Sequence, residues 1–292
     1  MTIWVTGGQG FIGTAVCRKL GEVDLEVVAP PRHRLDLADA KAVDDFVSEI
    51  KPVAVVHLAA SLDRRGGADA ERSQWRDTLT ASVNVIRSAA AAGVKRIVAA
   101  GSLEELGQQG GVLDPSATGT PASTYGLVKS LARQVAEFEG RRRPLRVDWF
   151  RPTIVYGPGQ DGPMLVPSAF RAAMAGGGGA FTTGEQRGNL LYVDDLADWV
   201  RAALRVPWSA VGLRLHHVGG ASTVAVRDVL TAVAAEFGVT LAVGALPRRE
   251  GEPDLQTVAP FRSEEWPLAE WRPCVDLREG VKRTADWWRS HG

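Results

Sequence analysis

Short apolar runs alternate with longer amphipathic stretches through the first half of the chain. The runs at 2–6 (TIWVT), 25–29 (LEVVA), 53–59 (VAVVHLA), 96–101 (RIVAAG) and 146–150 (RVDWF) are nearly continuous in apolar character. That pattern predicts strands covered on both faces rather than strands with one wet face. Segments 11–20, 38–49, 76–92 and 124–140 read as helices buried along one stripe. Repeated strand–helix–strand units with right-handed crossovers predict an α/β fold, a doubly wound parallel sheet of Rossmann type.

Beyond Gly157 the rhythm loosens. Stretches 157–163 (GPGQDGP) and 175–189 (AGGGGAFTTGEQRGN) read as loops, the second either a mobile binding loop or a linker. A strand at 190–193 (LLYV) and a helix at 194–204, opened by Asp194, restore the pattern. Helices are expected again at 224–238, closed by Gly238, and at 277–290, where Trp287 and Trp288 read as packing residues. The expected division is a dinucleotide-binding domain over 1–157, rejoined by 190–220, and a smaller α+β, mainly substrate-binding region over 158–292.

Composition narrows the function classes. With 292 residues, 45% hydrophobic and 23% charged, the chain has the makings of a large core and not of a disordered segment. Lys plus Arg and Asp plus Glu both number 34, so a nucleic-acid or anionic-membrane partner is not expected. Cys17 and Cys274 make neither a disulfide scaffold nor a thiolate metal site, and the five histidines lack ligand spacing, so no metal is expected. His57 closes an apolar strand, and His216 and His217 sit in another apolar run; all three read as structural. The N-terminus lacks a leader pattern and no window approaches ~20 apolar residues, so the expectation is a soluble cytoplasmic protein.

The candidate chemistry begins at VTGGQGFIG (5–13). Gly7, Gly10 and Gly13 follow the first strand and run into a helix, where backbone N–H groups and the helix dipole suit a pyrophosphate. After the second strand the chain reads VVAPPRHRLDL (27–37). Pro31 stands where NAD enzymes carry a ribose-binding acid, and Arg32 and Arg34 follow. Arginines pair with a 2′-phosphate that an acid would repel, which points to NADP (as NADPH) over NAD. Asp36 is placed to reach the adenine amine or to cap the next helix. In STYGLVKSLAR (123–133), Tyr125 and Lys129 are four apart and share a helix face. Taken alone, that pair reads first as an ordinary amphipathic face with a solvated lysine.

Taken in order, TGGQGFIG (6–13), LDLAD (35–39), VVHLAA (55–60), AGVKRIVAAGS (92–102), YGLVK (125–129), RPTIVYGPGQ (151–160), YVDDLA (192–197) and EWRPCVDLREGVKRTADWW (270–288) resemble an extended short-chain dehydrogenase/reductase of the nucleotide-sugar epimerase/dehydratase kind. The resemblance implies a catalytic role for Ser102, an acid/base role for Tyr125, and a ribose-holding, phenol-tuning role for Lys129. Free tyrosine titrates at about pH 10, and an adjacent ammonium favours its phenolate. The resemblance also implies cofactor contacts from Phe11, Ile12, Leu37, Leu58, Ala59, Ala60 and Pro152, and substrate contacts from Ser102, Glu104, Tyr125, Ile154 and Arg187. A homodimer through the helices at 76–92 and 124–140 is a further implication.

Departures from the family pattern narrow the reaction. Leu103 and Glu104 replace the Asp-Glu pair of the dehydratases. Leu103 and Met164 replace the Cys and His of the GDP-fucose synthases. Thr78 and Ile154 each fall where an Asn is common, and Arg187 is one place from the usual substrate-phosphate arginine. The expected function is NADP-dependent reduction of a keto group on a small polar substrate, most specifically a nucleotide-linked 4-keto-6-deoxysugar. The alternative is a nucleotide-sugar epimerase that retains NAD. A noncatalytic NADP-binding protein is the third reading; such a protein would have been expected to lose the Tyr–Lys pair.

Overall fold

The structure, a computed structural model, describes residues 1–23, 25–61, 63, 67–207, 211–248 and 252–291. Along the chain come β1 (Thr2–Thr6), α1 (Phe11–Gly21), β2 (Glu26–Val28), α2 (Ala40–Ile50), β3 (Ala54–His57), α3 (Ala68–Ser73), a π-helical turn (Gln74–Thr80), α4 (Ala81–Ala91) and β4 (Arg96–Ala100). A 3-10 turn (Leu103–Leu106), β5 (Gly111–Leu113), α5 (Thr124–Arg142), β6 (Arg146–Pro152), β7 (Ile154–Tyr156) and α6 (Leu165–Met174) follow. The remainder is β8 (Gly178–Phe181), β9 (Arg187–Tyr192), α7 (Val193–Arg205), β10 (Gly212–Val218), β11 (Thr223–Ala225), α8 (Val226–Phe237), β12 (Leu241–Val243), β13 (Leu255–Val258) and α9 (Leu277–His291).

Six parallel strands form the main sheet in the order β10-β6-β4-β3-β1-β2. This is the doubly wound sheet that the apolar runs predict. Successive residues of a strand face opposite ways, and the two cores record it. Trp4, Val55 and Trp149 pack with α4 and α5, whereas Val5, Val56 and Phe150 pack with α1 and α7. A second sheet has the order β11-β9-β13-β5, with β7 paired to β9. A separate core around Phe170, Leu230 and Val281 holds α6, α8 and α9 together. Of residues 190–220, β10 joins the main sheet and α7 packs on α1, while β9 belongs to the second sheet.

Two expectations need correction. The helix expected at 76–92 begins earlier and is not uniformly α: α3, the π-helical turn and α4 run on in helical conformation from Ala68 to Ala91. Side chains inside the turn bind the preceding loop: Thr78 Oγ1 accepts from Ser61 N–H at 2.9 Å, and Gln74 Nε2 donates to the Ser61 and Asp63 carbonyls. An inserted residue of this kind is how a helix re-aims such side chains. The segment 175–189, expected as loop, contains β8 and the start of β9.

Candidate active site

A cleft of about 820 Å³ opens where the C-terminal ends of β1, β4 and β6 meet, the usual ligand position of an open α/β sheet. Gly7, Gly10, Phe11, Ile12 and Gly13 line one end. This loop packs backbone on backbone: a Cβ at Gly13 would stand 2.0 Å from the Gly7 carbonyl oxygen, and Gly7 itself has φ +70°. Helix α1 begins at Gly10 with no side-chain cap and no acidic residue in its first turn. Its N-terminal N–H groups and dipole are therefore left for an anion, as a dinucleotide pyrophosphate requires.

Leu58, Ala59 and Ala60 line the same end and are held from behind. Thr6 Oγ1 accepts from the Leu58 and Ala59 N–H groups at 3.2 and 3.3 Å and lies 2.7 Å from His57 Nδ1. His57 Nε2 lies 2.8 Å from Ser82 Oγ, which donates to the Thr78 carbonyl. Because Ser82 spends its proton on Thr78, His57 is protonated on Nε2 and accepts the Thr6 hydroxyl on Nδ1. Full burial, and secondarily the charge of Lys129, push the imidazole down to about 3, so it is neutral. The structural reading of His57 stands, with a positioning job attached.

In the segment that follows β2, Arg32, Asp36 and Leu37 line the cleft. Arg32 pairs with Asp77 of the π-helical turn at 2.7 Å, and Arg76 bridges Asp77 and Asp36. Asp36 accepts from Ala38 N–H, which with Arg76 holds its carboxyl below the usual range. The cap of α2 is Asp39, which accepts from Ala42 N–H. Arg34 is exposed on the turn closed by the Arg34 and Leu35 N–H groups on Pro31 O, outside the cleft lining.

Ser102, Tyr125 and Lys129 converge on the other end, with Glu104, Pro152 and Ile154 beside them. Lys129 is buried; its Nζ donates to Ala100 O at 2.7 Å and stands 5.8 Å from the Tyr125 ring centroid. A buried ammonium is tolerable only with such partners. Ser102 caps the 3-10 turn, and its Oγ accepts from Glu104 N–H at 3.1 Å, which leaves the hydroxyl proton to be donated. Ser123, the cap of α5, donates to the Glu104 carboxylate at 2.7 Å and ties that turn to the Tyr125 helix.

Arg187 stands apart from this set. It sits on β9 outside the cleft lining, with its guanidinium donating to the Thr223 carbonyl at 3.2 Å. The C-terminal lobe instead brings Glu252, Pro253 and Gln256 to the cleft. Sequence reasoning also passes over Asp77 and Gln74, both placed by tertiary contacts, and leaves Glu105 between a substrate contact and a solvated or helix-starting acid. Among the described residues no group of three His, Cys, Asp or Glu is placed to hold a metal, and no helix is long and apolar enough to cross a membrane.

Residues 3–219 match the model of the NAD dependent epimerase/dehydratase family. The chain belongs to this family. Curated relatives include the UDP-glucose 4-epimerase of Mycolicibacterium smegmatis, 26% identical over 99% of each chain. GDP-L-fucose synthase 1 of Arabidopsis thaliana is 27% identical over 98% of this chain and 92% of its own. Among solved structures, the Thermus thermophilus UDP-glucose 4-epimerase complex with NAD superimposes with a TM-score of 0.85 at 24% identity over 100% of both chains. The fold is therefore that of the extended short-chain dehydrogenase/reductases, and the chain is a nicotinamide-dependent enzyme of that family.

Proposed function

We propose that the chain is a nucleotide-sugar epimerase that oxidises and re-reduces one carbinol carbon with a retained nicotinamide dinucleotide. The observation that carries this reading is the convergence of Ser102, Tyr125 and buried Lys129 with the uncapped α1 loop on a single cleft. The epimerase relative similar over its full length supports it over the ketoreductase expectation. Bound in the cleft, the dinucleotide supplies both hydride acceptor and hydride donor. Tyr125 takes the hydroxyl proton of the substrate and returns it, Ser102 holds the reacting oxygen by donation, and Lys129 favours the phenolate. The Glu104 carboxylate lies beside the sugar end.

One observation favours the second reading, an NADPH-dependent ketoreductase. No acid ends β2, and Arg32 lines the adenosine end. Against it, Asp77 already engages Arg32 at 2.7 Å. The deciding experiment offers UDP-glucose to the protein as purified and, separately, a GDP-linked 4-keto-6-deoxysugar with NADPH. Epimer formation without net change in reduced-nicotinamide absorbance is expected; NADPH consumption matched to product would install the reductase instead. Exposed Leu127 and Phe138 on α5 and Trp75 on the π-helical turn support a homodimer built on this face. Sedimentation at micromolar concentration is expected to return a dimer.

A further inference from the structure

Beneath the serine lies a carboxylate that the reaction itself does not use. Glu105 is buried, with no exposed side-chain surface. Its Oε1 accepts from Ser102 N–H at 2.9 Å and from the Trp149 indole N–H at 2.9 Å. Its Oε2 accepts from Arg151 Nε and Nη2 at 3.1 and 3.0 Å and faces Arg133 Nε at 3.3 Å. The backbone entering Ser102 runs directly over this group: a Cβ at Gly101 would stand 2.4 Å from Glu105 Oε1 and 2.2 Å from Trp149 Nε1. The Gly-Ser step is thus shaped by the carboxylate below it.

Apolar side chains replacing the whole Glu105–Arg151 pair would fill this space without the cost of burying charge. What a carboxylate adds is two-sided acceptance. One oxygen fixes the amide of Ser102, and the other is clamped by arginines on β6 and α5, the elements that carry Pro152 and Tyr125. We infer that Glu105 is a positioning residue, which sets the Ser102 hydroxyl against Tyr125 by clamping the Ser102 backbone to the Arg151 and Arg133 guanidiniums. The inference rests on the proposed role of Ser102 in proton and hydride exchange, and it holds for the epimerase and the reductase alike.

Glu105→Gln tests it. The amide keeps the volume and one acceptor, but it presents N–H where Arg151 also presents N–H. A double-mutant cycle with Ser102→Ala separates positioning from general stability. Turnover is measured on UDP-glucose, or on the GDP-linked 4-keto-6-deoxysugar with NADPH, whichever the parent protein converts. We expect Ser102→Ala and Glu105→Gln each to lower kcat by about ten- to a thousandfold, within the range of positioned acid–base groups and their supports. KM and dinucleotide affinity should stay near parent. Adding Glu105→Gln to Ser102→Ala should then cost no further kcat. Multiplicative losses in the double variant would reduce Glu105 to a fold-stabilising group and overturn the inference. If Glu105→Gln does not fold, Arg133→Gln, at the partly exposed edge of the clamp, takes its place in the same cycle with the same two outcomes. Parent-like turnover by Ser102→Ala would overturn the role of Ser102, and a parent inactive on both substrates would remove the proposed function; the inference falls with either.

Discussion

Acid should loosen the cofactor end of the cleft through one buried ring. His57 is wholly buried, neutral, and pushed from 6.5 to about 3, first by desolvation and then by Lys129. Its folded value lies below its unfolded one, so between the two the unfolded chain binds a proton that the fold refuses. Stability from the neutral ring is complete above about pH 6.5 and is lost as pH falls toward about 3, at about 1.4 kcal/mol per pH unit. At about pH 4.5 the loss is about 2.7 kcal/mol relative to neutral pH. A proton on Nδ1 would also face Thr6 Oγ1, which already accepts from the Leu58 and Ala59 amides. The chain seating 58–60 would have to rearrange. The assay is urea unfolding of the parent and of His57→Asn, which cannot titrate there, from about pH 7.5 to about pH 4.5. Carboxylate titration is common to both proteins and cancels in their difference. The parent should lose about 2–3 kcal/mol more than the variant over that range. A difference that stays flat with pH would refute the neutral-ring argument.

Tyr125→Phe should keep dinucleotide binding, measured by fluorescence titration, and lower turnover by about 10²–10⁴, the usual worth of a positioned acid–base group. Lys129→Met leaves the Ala100 carbonyl without its buried donor and should lower turnover and dinucleotide affinity together. It should also move the His57 titration upward, read by NMR, because a cationic neighbour is gone. Gly13→Ala places a Cβ 2.0 Å from the Gly7 carbonyl. The displaced loop should weaken dinucleotide binding and destabilise the fold by about 1–3 kcal/mol, as overpacking does, visible in the melting temperature. Arg32→Ala should leave NADH affinity unchanged; NADPH affinity falling by about 1–3 kcal/mol would mark a 2′-phosphate partner.

The main sheet is legible in the sequence because its strands are apolar on both faces and its helices are long enough to show a period. β1 and β4 appear within a residue of where TIWVT and RIVAAG place them. Of the second sheet only β9 is legible, through LLYV. β5, β7 and β11 have three residues each, too few for any alternation to register. The glycine loop and the Ser102, Tyr125 and Lys129 set are recognisable because their residue types are rare in that order. Glu105 is not: a glutamate in the run LEEL looks like a wet turn, and only Trp149 and Arg151, far along the chain, reveal it as buried. The place of Arg187 is hidden for the converse reason. Its spacing is suggestive, but pairing of β9 with β11 and β13 leaves its side chain on the Thr223 carbonyl.

The short strand β5 lies in the chain between Ser102 and Tyr125, yet its backbone bonds are to β13, near the far end of the chain. The two lobes are therefore stitched through each other and not joined end to end. A cassette swap drawn at Gly219, where the family match stops, would sever that seam and strip Leu113 of its neighbour Val258. It would also cut loose the 107–110 segment that follows the serine turn, because Gln256 holds the Gln109 carbonyl at 3.0 Å. New specificities in this architecture must therefore arise by substitution along the stitched edge, with the serine turn responding to each change, and not by exchange of a ready-made lobe.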